Sequence, residues 1–438
     1  MGFAVLSAPE SEATQRRVAG ALATHGLREG DRLVLSLTGS TDYVSVVLGA
    51  LRTGVVPVPL DPRLTPHERD AIIDDVEPSM VIDSDDALSG LLVGPEADLD
   101  AHPRARPMHF TSGTTGRPKG VWSGLLSPAD AEALVREERD LWGFRPDDVD
   151  LVVSPIYHSA PLRFAMGTLL AGGSVVVLPR FEPESFVAAV HELLPTSMFC
   201  VPAHLQRLFA WLEETGTPLD PSSFRLVAHA GAPCPDPIRR RAHELFGMDV
   251  VWEFYGSTEG QFTACPAPLW VEHPGTLGPA RPGRVVTADG DDQLWCAVPP
   301  WAAFTYWRDP EKTAAAWKDT PDGPAFTVGD LGRVEDGLVW LDSRRSDLVI
   351  SGGVNVYPAE VEAALIDAPG LDDIAVFGRP DERWGQRVCA AYVGHVDEQV
   401  LRDLANERLA PPKRPKEYER VDSLPRTATG KVKRVELT

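Results

Sequence analysis

From residue 31 onward, short unbroken apolar runs alternate with stretches whose apolar residues recur every three or four positions. "DRLVLSL", "VVPVPL" and "SMVID" are the runs, and "TDYVSVVLGALRTG" and "TPHERDAIIDDV" lie between them, so the spacing predicts strand, helix, strand, helix, strand. The order returns in "DVDLVVSPI", "FAMGTLLAGG", "SVVVLP", "PESFVAAVHELL", "SMFCVP", "AHLQRLFAWLEET", "FRLVAHAG" and "DPIRRRAHELFG". Continuous, β-branched strands separated by helices predict parallel sheets covered on both faces, and two such runs predict two sheets packed together. Past residue 284, "VVTADGDDQLWCAV" and "RVEDGLVWLDSR" predict hairpins on Asp-Gly turns. From about residue 345 a smaller unit follows, with a helix in "PAEVEAALIDA" opened by Pro358, strands in "DDIAVFG" and "QRVCAAYVG", and a helix in "DEQVLRDLANERLA". The predicted fold class is α/β. A large N-terminal domain, 1–344, holds two packed, mostly parallel sheets flanked by helices plus a β-rich subdomain, and a small α+β C-terminal domain, 345–438, completes the chain.

Composition narrows the partners. A length of 438 residues exceeds one ordinary core, and a net charge of -22 argues against nucleic acid or an anionic membrane surface, which both require basic patches. An anionic ligand must therefore be captured by a local site. Cys200, Cys234, Cys265, Cys296 and Cys389 are odd in number and lack C-x-x-C spacing, so buried reduced thiols are expected rather than disulfides or zinc. The N-terminus has no basic segment before a short apolar run, and Val44 to Leu60 is interrupted by Gly, Arg and Pro. These features predict a soluble cytoplasmic protein.

One loop carries candidate chemistry by its composition. "FTSGTTGRPKGV", 110–121, sets Gly113, Gly116 and Gly120 among the hydroxyls of Thr111, Ser112, Thr114 and Thr115, with Arg117 and Lys119 close by. Glycines let backbone N–H groups approach a ligand, the hydroxyls add donors and the cations add charge, a set suited to polyphosphate. The glycine and lysine spacing differs from the P-loop, and no Ser or Thr follows the Lys. Three further polar loops follow in order: "EFYGSTEG" at 253–260, "FTVGDLG" at 326–332 with "SRRSDLVISGGVNVYPAEVE" at 343–362, and "PRTATGKVKR" at 425–434.

These four loops, in this order and at these separations, resemble the adenylate-forming superfamily of acyl- and aryl-CoA synthetases, peptide-synthetase adenylation domains and luciferases, from about residue 30 onward. The stretch "VAHAGAPCP…VVWEFYGSTEGQFT…HPGTLG" resembles the bacterial CoA ligases most. The resemblance implies ATP, Mg²⁺ and coenzyme A. A substrate carboxylate attacks the α-phosphorus of ATP, pyrophosphate leaves, and the thiol of CoA displaces AMP from the acyl-adenylate. It implies that Thr111, Ser112, Gly113, Thr114, Thr115, Gly116 and Lys119 hold the β- and γ-phosphates in a loop that moves with them. Thr258, beside Gly256 and Ser257, touches the α-phosphate, and Glu259 holds the metal. Tyr255 stacks on adenine opposite Gly231, Ala232 and Pro233, while Asp330 and Arg344 bind the ribose, Arg344 marking the hinge. Lys431, a compact charge on a Gly-containing loop, serves adenylation and then withdraws as the small domain rotates. Gly352 and Gly353, without side chains, then admit the pantetheine arm. His158 lines the path between acid and thiol, in a pocket expected near Val201, Pro202, Ala203, His229 and Ala230, and Arg163 either meets a polar acid tail or faces solvent.

Departures from the family pattern are Val328 in place of the usual Thr, Ser346 at the hinge, and abbreviated segments before residue 20, around 84–107 and at 284–300. They leave three alternatives: a CoA ligase, an adenylating enzyme passing its acyl group to a carrier-protein thiol, an amine or another small nucleophile, and a non-catalytic nucleotide binder. Intact Lys119, Glu259, Asp330, Arg344 and Lys431 argue against the last. The expected partners are a small carboxylic acid and CoA or a carrier protein, with no nucleic acid and no membrane, in a monomer or homodimer.

Overall fold

The computed structural model describes residues 3–111, 118–343, 348–425, 432 and 434–437. Both predicted parallel runs form. Arg32–Leu35 lies between Val56–Pro59 and Met80–Ile82 in a three-stranded parallel sheet. The second sheet has seven strands in the order Val5–Ser7, Ser174–Val177, Val149–Val152, Ser197–Cys200, Leu226–His229, Val251–Glu253 and Cys265–Pro266. Its interior pairs are parallel and its two edge pairs antiparallel.

Helix Thr41–Leu51 explains how the sheets stay together. Tyr43 through Leu51 are all buried, so this helix has no solvent face from its first turn onward. It packs on Val56–Pro59 of one sheet and Ser174–Val177 of the other, and one continuous core includes Leu33, Val34, Val47, Leu162 and Val175. A helix apolar on every side is stable only when enclosed in this way. A helix that the hydrophobic spacing did not single out, Ala8–Thr24, covers it, opened by a capping box between Ser7 and Glu10. Gly20 lies so close beneath residue 95 that an added Cβ would fall 1.7 Å from the carbonyl oxygen of Pro95.

The β-rich part is a four-stranded antiparallel sheet and a separate hairpin, Leu331–Glu335 with Leu338–Ser343. The hairpin turns on Asp336 and Gly337 with φ of 50° and 78°, the left-handed pair that Asp-Gly favours. Near the C-terminus, Val354–Val356, Val349–Ser351, Gly385–Gly394, Leu371–Asp381 and Glu417–Arg420 form one sheet, with helices Pro358–Leu365 and Glu398–Arg408 contributing Val361, Leu365, Leu401 and Ala405 to its core. All five cysteines are buried and free. No helix among the described residues is long and apolar enough to cross a membrane.

A buried ion cluster joins the C-terminal unit to the rest. Lys413 Nζ lies 2.9 Å from Glu68 Oε1 and 2.6 Å from Glu360 Oε1. Glu68 also closes the capping box of helix Pro66–Val76 through Thr65. Burial lowers the Lys413 pKa, but Glu360 and Glu68 outweigh it and hold the ammonium above its usual range. Burial raises Glu360, against the pull of Lys413.

Another buried carboxyl has no ion-pair partner within contact distance among the described residues. Asp150, in Val149–Val152, accepts a 2.9 Å hydrogen bond from Ser197 Oγ, and its other oxygen has no hydrogen-bond partner among the described residues. Neighbouring Asp148 takes the Arg225 guanidinium. Burial pushes Asp150 up to about 7, with Ser197 opposing and Asp148 adding to the rise. Because the folded pKa lies above the unfolded one, the stabilisation belongs to low pH and is lost as pH rises from about 4 through about 7. The Asp150→Asn protein should therefore be more stable than wild type at pH 8, by about 2–4 kcal/mol, and the difference should shrink towards pH 5. Thermal unfolding of both proteins across this range checks it; parallel pH profiles would show that Asp150 does not titrate there.

Candidate active site

Parallel strands deliver their following loops to one edge, and several of the sequence-marked segments meet there. Ala230 to Pro233 follow Leu226–His229, Phe254 to Gly260 follow Val251–Glu253, and Val201 follows Ser197–Cys200. The turn after Glu253 is closed by backbone bonds from Ser257 N–H to the Gly260 carbonyl and from Phe262 N–H to the Tyr255 carbonyl. Gly256 is confined, since a Cβ would approach the Gly260 carbonyl oxygen to 2.8 Å.

Tyr255 and Asp330, 75 positions apart, are in direct contact, the phenol donating to Asp330 Oδ2 at 2.6 Å. The ring rests against Phe262, with centroids 4.8 Å apart. Asp330 is set by Gly329, whose φ is 80° and whose N–H donates to Thr327 Oγ1. Nearby, Glu259 is buried and accepts a 2.9 Å bond from the Tyr306 hydroxyl, and Lys119 Nζ sits 5.0 Å above the Tyr306 ring. Lys119, Tyr306 and Glu259 thus form a connected series. Arg106 donates to the Glu259 carbonyl at 3.1 Å. Tyr306 and Arg106 were absent from the sequence candidates because their partners lie far away in the chain.

The C-terminal unit reaches this edge with the turn of a hairpin. Gly352 and Gly353 have φ of 59° and 81° and connect Val349–Ser351 to Val354–Val356. Such a pair fits a two-residue turn that most side chains cannot adopt. A Cβ on Gly353 would lie 3.6 Å from the Val201 side chain, and one on Gly231 would lie 3.5 Å from the same side chain, so the turn stands beside the Gly231 wall. On Gly352 a Cβ would meet the Trp384 ring at 2.9 Å.

Lys431, Arg344, Ser346, Ser112, Gly113, Thr114, Thr115, Gly116 and Arg117 lie outside the described residues, and Thr111 is described only through its backbone, which pairs with Lys119. His158 occupies the N-cap of helix Ser159–Leu170 without making a side-chain cap, and its ring lies 4.7 Å from that of Tyr157. Its side chain is exposed, and desolvation by the surrounding protein lowers its pKa, with Asp61 opposing and Arg63 assisting. Arg63 binds both Asp61 and the Tyr157 hydroxyl, a group that the sequence did not reveal.

A cavity of about 470 Å³ opens from Ser257 and Thr258 and runs between helices Ser159–Leu170 and Pro128–Trp142. One helical face, Ser159, Arg163, Met166, Gly167 and Leu170, lines it at i, i+4, i+7, i+8 and i+11. The expected walls at Val201, Pro202, Ala203, His229 and Ala230 are not part of that lining. His229 instead lies fully buried in its strand, while Arg163 faces the cavity.

Among the described residues no three His, Cys, Asp or Glu side chains converge as a ready metal cage. One buried carboxylate, Glu259, beside a space for phosphates nevertheless fits Mg²⁺, which takes few protein ligands and completes its shell with water and phosphate oxygens.

Residues 5–294 match the AMP-binding enzyme family and residues 360–431 match the AMP-binding enzyme C-terminal domain. The first match begins earlier than the resemblance placed at about residue 30. Indoleacetate–CoA ligase of Aromatoleum aromaticum is 31% identical, over 95% of this chain and 90% of its own length. The fatty acid–[acyl-carrier-protein] ligase ScoC of Streptomyces coeruleorubidus is 32% identical, over 96% and 89%. Among solved structures, o-succinylbenzoate CoA synthetase from Bacillus subtilis, in a double-mutant form bound to its product analogue OSB-NCoA, matches with a TM-score of 0.85 at 27% identity, over 98% of this chain and 92% of that one. Its complex with the acyl-adenylate gives 0.68 over the same shares. The amide bond synthetase McbA of Marinactinospora thermotolerans gives 0.83 at 26% identity, over 98% and 94%. With both parts of the family pattern present in order and nearly the full length of its relatives covered, the chain belongs to the AMP-binding enzyme family, within the adenylate-forming superfamily of acyl- and aryl-CoA ligases.

Proposed function

We propose that the protein is an AMP-forming acid–CoA ligase that activates a small carboxylic acid as its acyl-adenylate and passes the acyl group to coenzyme A. The observation that carries this assignment is the meeting of Tyr255 with Asp330 beside the Lys119, Tyr306 and Glu259 series. A nucleotide laid along Gly231 to Pro233 has an aromatic face for its base and a carboxylate acceptor for its ribose, while its phosphates point towards Thr258 and Glu259. The acid enters through the cavity that opens at Ser257 and Thr258. Its carboxylate oxygen attacks the α-phosphorus, the bond to the bridging oxygen of the β-phosphate breaks, and pyrophosphate leaves with that electron pair. Mg²⁺ held by Glu259 would neutralise phosphate charge. Lys119 and the hydroxyls from Thr111 to Thr115 hold the leaving group, and Lys431 bridges the two reacting anions.

Residues 1–344 act in this scheme as the adenylation domain and 345–438 as the moving one. The thiol sulfur then attacks the acyl carbon and AMP departs with the bonding electrons. His158 lines that path, and the Gly352–Gly353 turn leaves room for the pantetheine arm. The arrangement in the structure favours this second step: the fit to the B. subtilis synthetase is better with the product analogue than with the acyl-adenylate. A second acceptor class, a carrier-protein thiol or an amine, is favoured by the likeness to ScoC and McbA.

AMP release and mass spectrometry with fatty, aromatic and amino-substituted acids, with and without CoA, distinguish these acceptors. Joint appearance of AMP and an acyl-CoA only with CoA is expected, whereas an acyl-adenylate unaffected by CoA would assign the acceptor to the second class. Replacing Lys431 with Ala should lower ATP–pyrophosphate exchange by roughly a hundredfold or more and spare thioester formation from supplied acyl-adenylate; undiminished exchange would remove Lys431 from the first step. The Lys413→Met protein leaves Glu68 and Glu360 facing each other without their cation. It should convert supplied acyl-adenylate to thioester about tenfold more slowly at unchanged exchange rate, and equal single-turnover rates in the two proteins would show that this cluster does not hold the second arrangement.

A further inference from the structure

The cavity is cationic beyond what its own acids neutralise. Arg106, Arg163, Arg281 and Arg284 border it, against the two carboxylates Glu137 and Glu138. Glu137 is fully engaged by arginines, whereas Glu138 is engaged through Oε1, its Oε2 being buried with no hydrogen-bond partner among the described residues. Glu137 Oε1 lies 2.6 Å from both Arg281 Nη2 and Arg284 Nη2, and its Oε2 accepts from Arg284 Nη1 and from Trp301 Nε1. Glu138 Oε1 accepts from Arg281 Nη1 at 2.9 Å, and Arg281 donates also to Gln261 Oε1. Arg139 and Arg145, at the rim, pair with Asp140 and Asp147 on the outer surface.

That leaves two guanidinium groups short of an anion. Arg163 reaches the shared Glu138 Oε1 only at 3.5 Å, and Arg106 donates to two backbone carbonyls, of Glu259 and Ala303. Both Nε groups are buried with no hydrogen-bond partner among the described residues. Burial lowers Arg106 to about 10, with Arg284 and Arg163 adding to the fall. Burial likewise lowers Arg163, with Glu138 opposing and Arg281 assisting. Glu138 is held down to about 2, because the surrounding arginines outweigh its own burial, so it already gives its full charge. Elsewhere in the cavity Met166, Leu170, Phe144, Leu134 and Val135 supply an apolar wall. The Arg163 guanidinium lies 5.4 Å from the centroid of the Phe254 ring.

We propose that the substrate is a dicarboxylic acid: besides the carboxylate activated at Ser257 and Thr258, it carries a second carboxylate on an apolar body, and Arg163, assisted by Arg106, selects it. This rests on the adenylation assignment above and deepens it. A neutral tail would leave the Nε groups of both guanidiniums without an acceptor and the cavity's excess positive charge unbalanced, whereas a carboxylate supplies an acceptor and a counter-charge. Sites built to bond a polar substituent discriminate strongly against analogues lacking it.

The test is ATP–pyrophosphate exchange with two matched pairs, hexanoate against hexanedioate and phenylacetate against 4-carboxyphenylacetate, added to the fatty, aromatic and amino-substituted panel. Wild type is expected to favour the dicarboxylate of at least one pair by about tenfold or more in kcat/KM. The Arg163→Met protein should lose most of that ratio and Arg163→Lys should keep part of it. Preference for the monocarboxylate in both pairs, or a ratio unmoved in Arg163→Met, overturns the assignment while exchange with the monocarboxylates leaves adenylation standing. No exchange with any acid of the panel overturns adenylation itself, and the dicarboxylate assignment with it. The wild-type ratio decides even where a variant folds poorly.

Discussion

A carboxylate and a triphosphate repel each other, and a chain of net charge -22 worsens that repulsion unless its cations are collected where the two must meet. The fold answers this constraint by position. Lys119 stands over Tyr306 beside Glu259, Arg106 braces the Glu259 carbonyl, and Arg163 and Arg281 line the cavity opening at Thr258. Many acids, by contrast, occupy outer surfaces, as Asp98, Asp140 and Asp147 do. The local field at the reaction edge therefore opposes that of the whole molecule, and confined low-dielectric surroundings make the local field the stronger influence on a bound anion.

That arrangement needs a rigid frame, because an electrostatic site loses its value when its groups can relax. The frame is the double sheet closed over helix Thr41–Leu51, whose residues from Tyr43 to Leu51 all face protein. Much of it was legible in the sequence. Unbroken β-branched runs gave the parallel strands, Asp336–Gly337 gave a left-handed hairpin turn, and Pro358 opened the expected helix. Helix Ala8–Thr24 was not legible in that way, since its polar residues Ser11 and Gln15 are buried along with its apolar ones and blur the spacing.

The site was legible wherever a residue type announced its own chemistry. Tyr255, Glu259 and Asp330 lie in turns whose composition marked them, and two of the three touch. It was illegible where the chemistry belongs to a pair. Arg106 meets Glu259 across 153 positions and Lys413 meets Glu68 across 345, and neither separation leaves a local signal. Helix Pro128–Trp142 has the same character: its Glu137 and Glu138 stand in a charged run that reads as a solvated surface, yet both are nearly enclosed and paired with arginines. Lys431 and Arg344, to which the proposal gives the most specific roles, stand outside the described residues, and their assignment rests on their motifs.

In the proposed reaction the two half-steps place opposite demands on the small C-terminal unit, and the contacts that hold it bear on both. In the present arrangement the Gly352–Gly353 turn stands beside Val201, and Trp384 fills the space behind Gly352. The Lys413 cluster adds a directional contact at some distance from the turn, joining helix Pro66–Val76 to the start of Pro358–Leu365. An ion cluster of this kind yields a small net stabilisation because desolvation offsets most of its attraction. The proposed rotation of this unit between the half-reactions requires an orientation that is well defined while occupied and not strongly favoured, and a directional contact of small net stability suits that requirement.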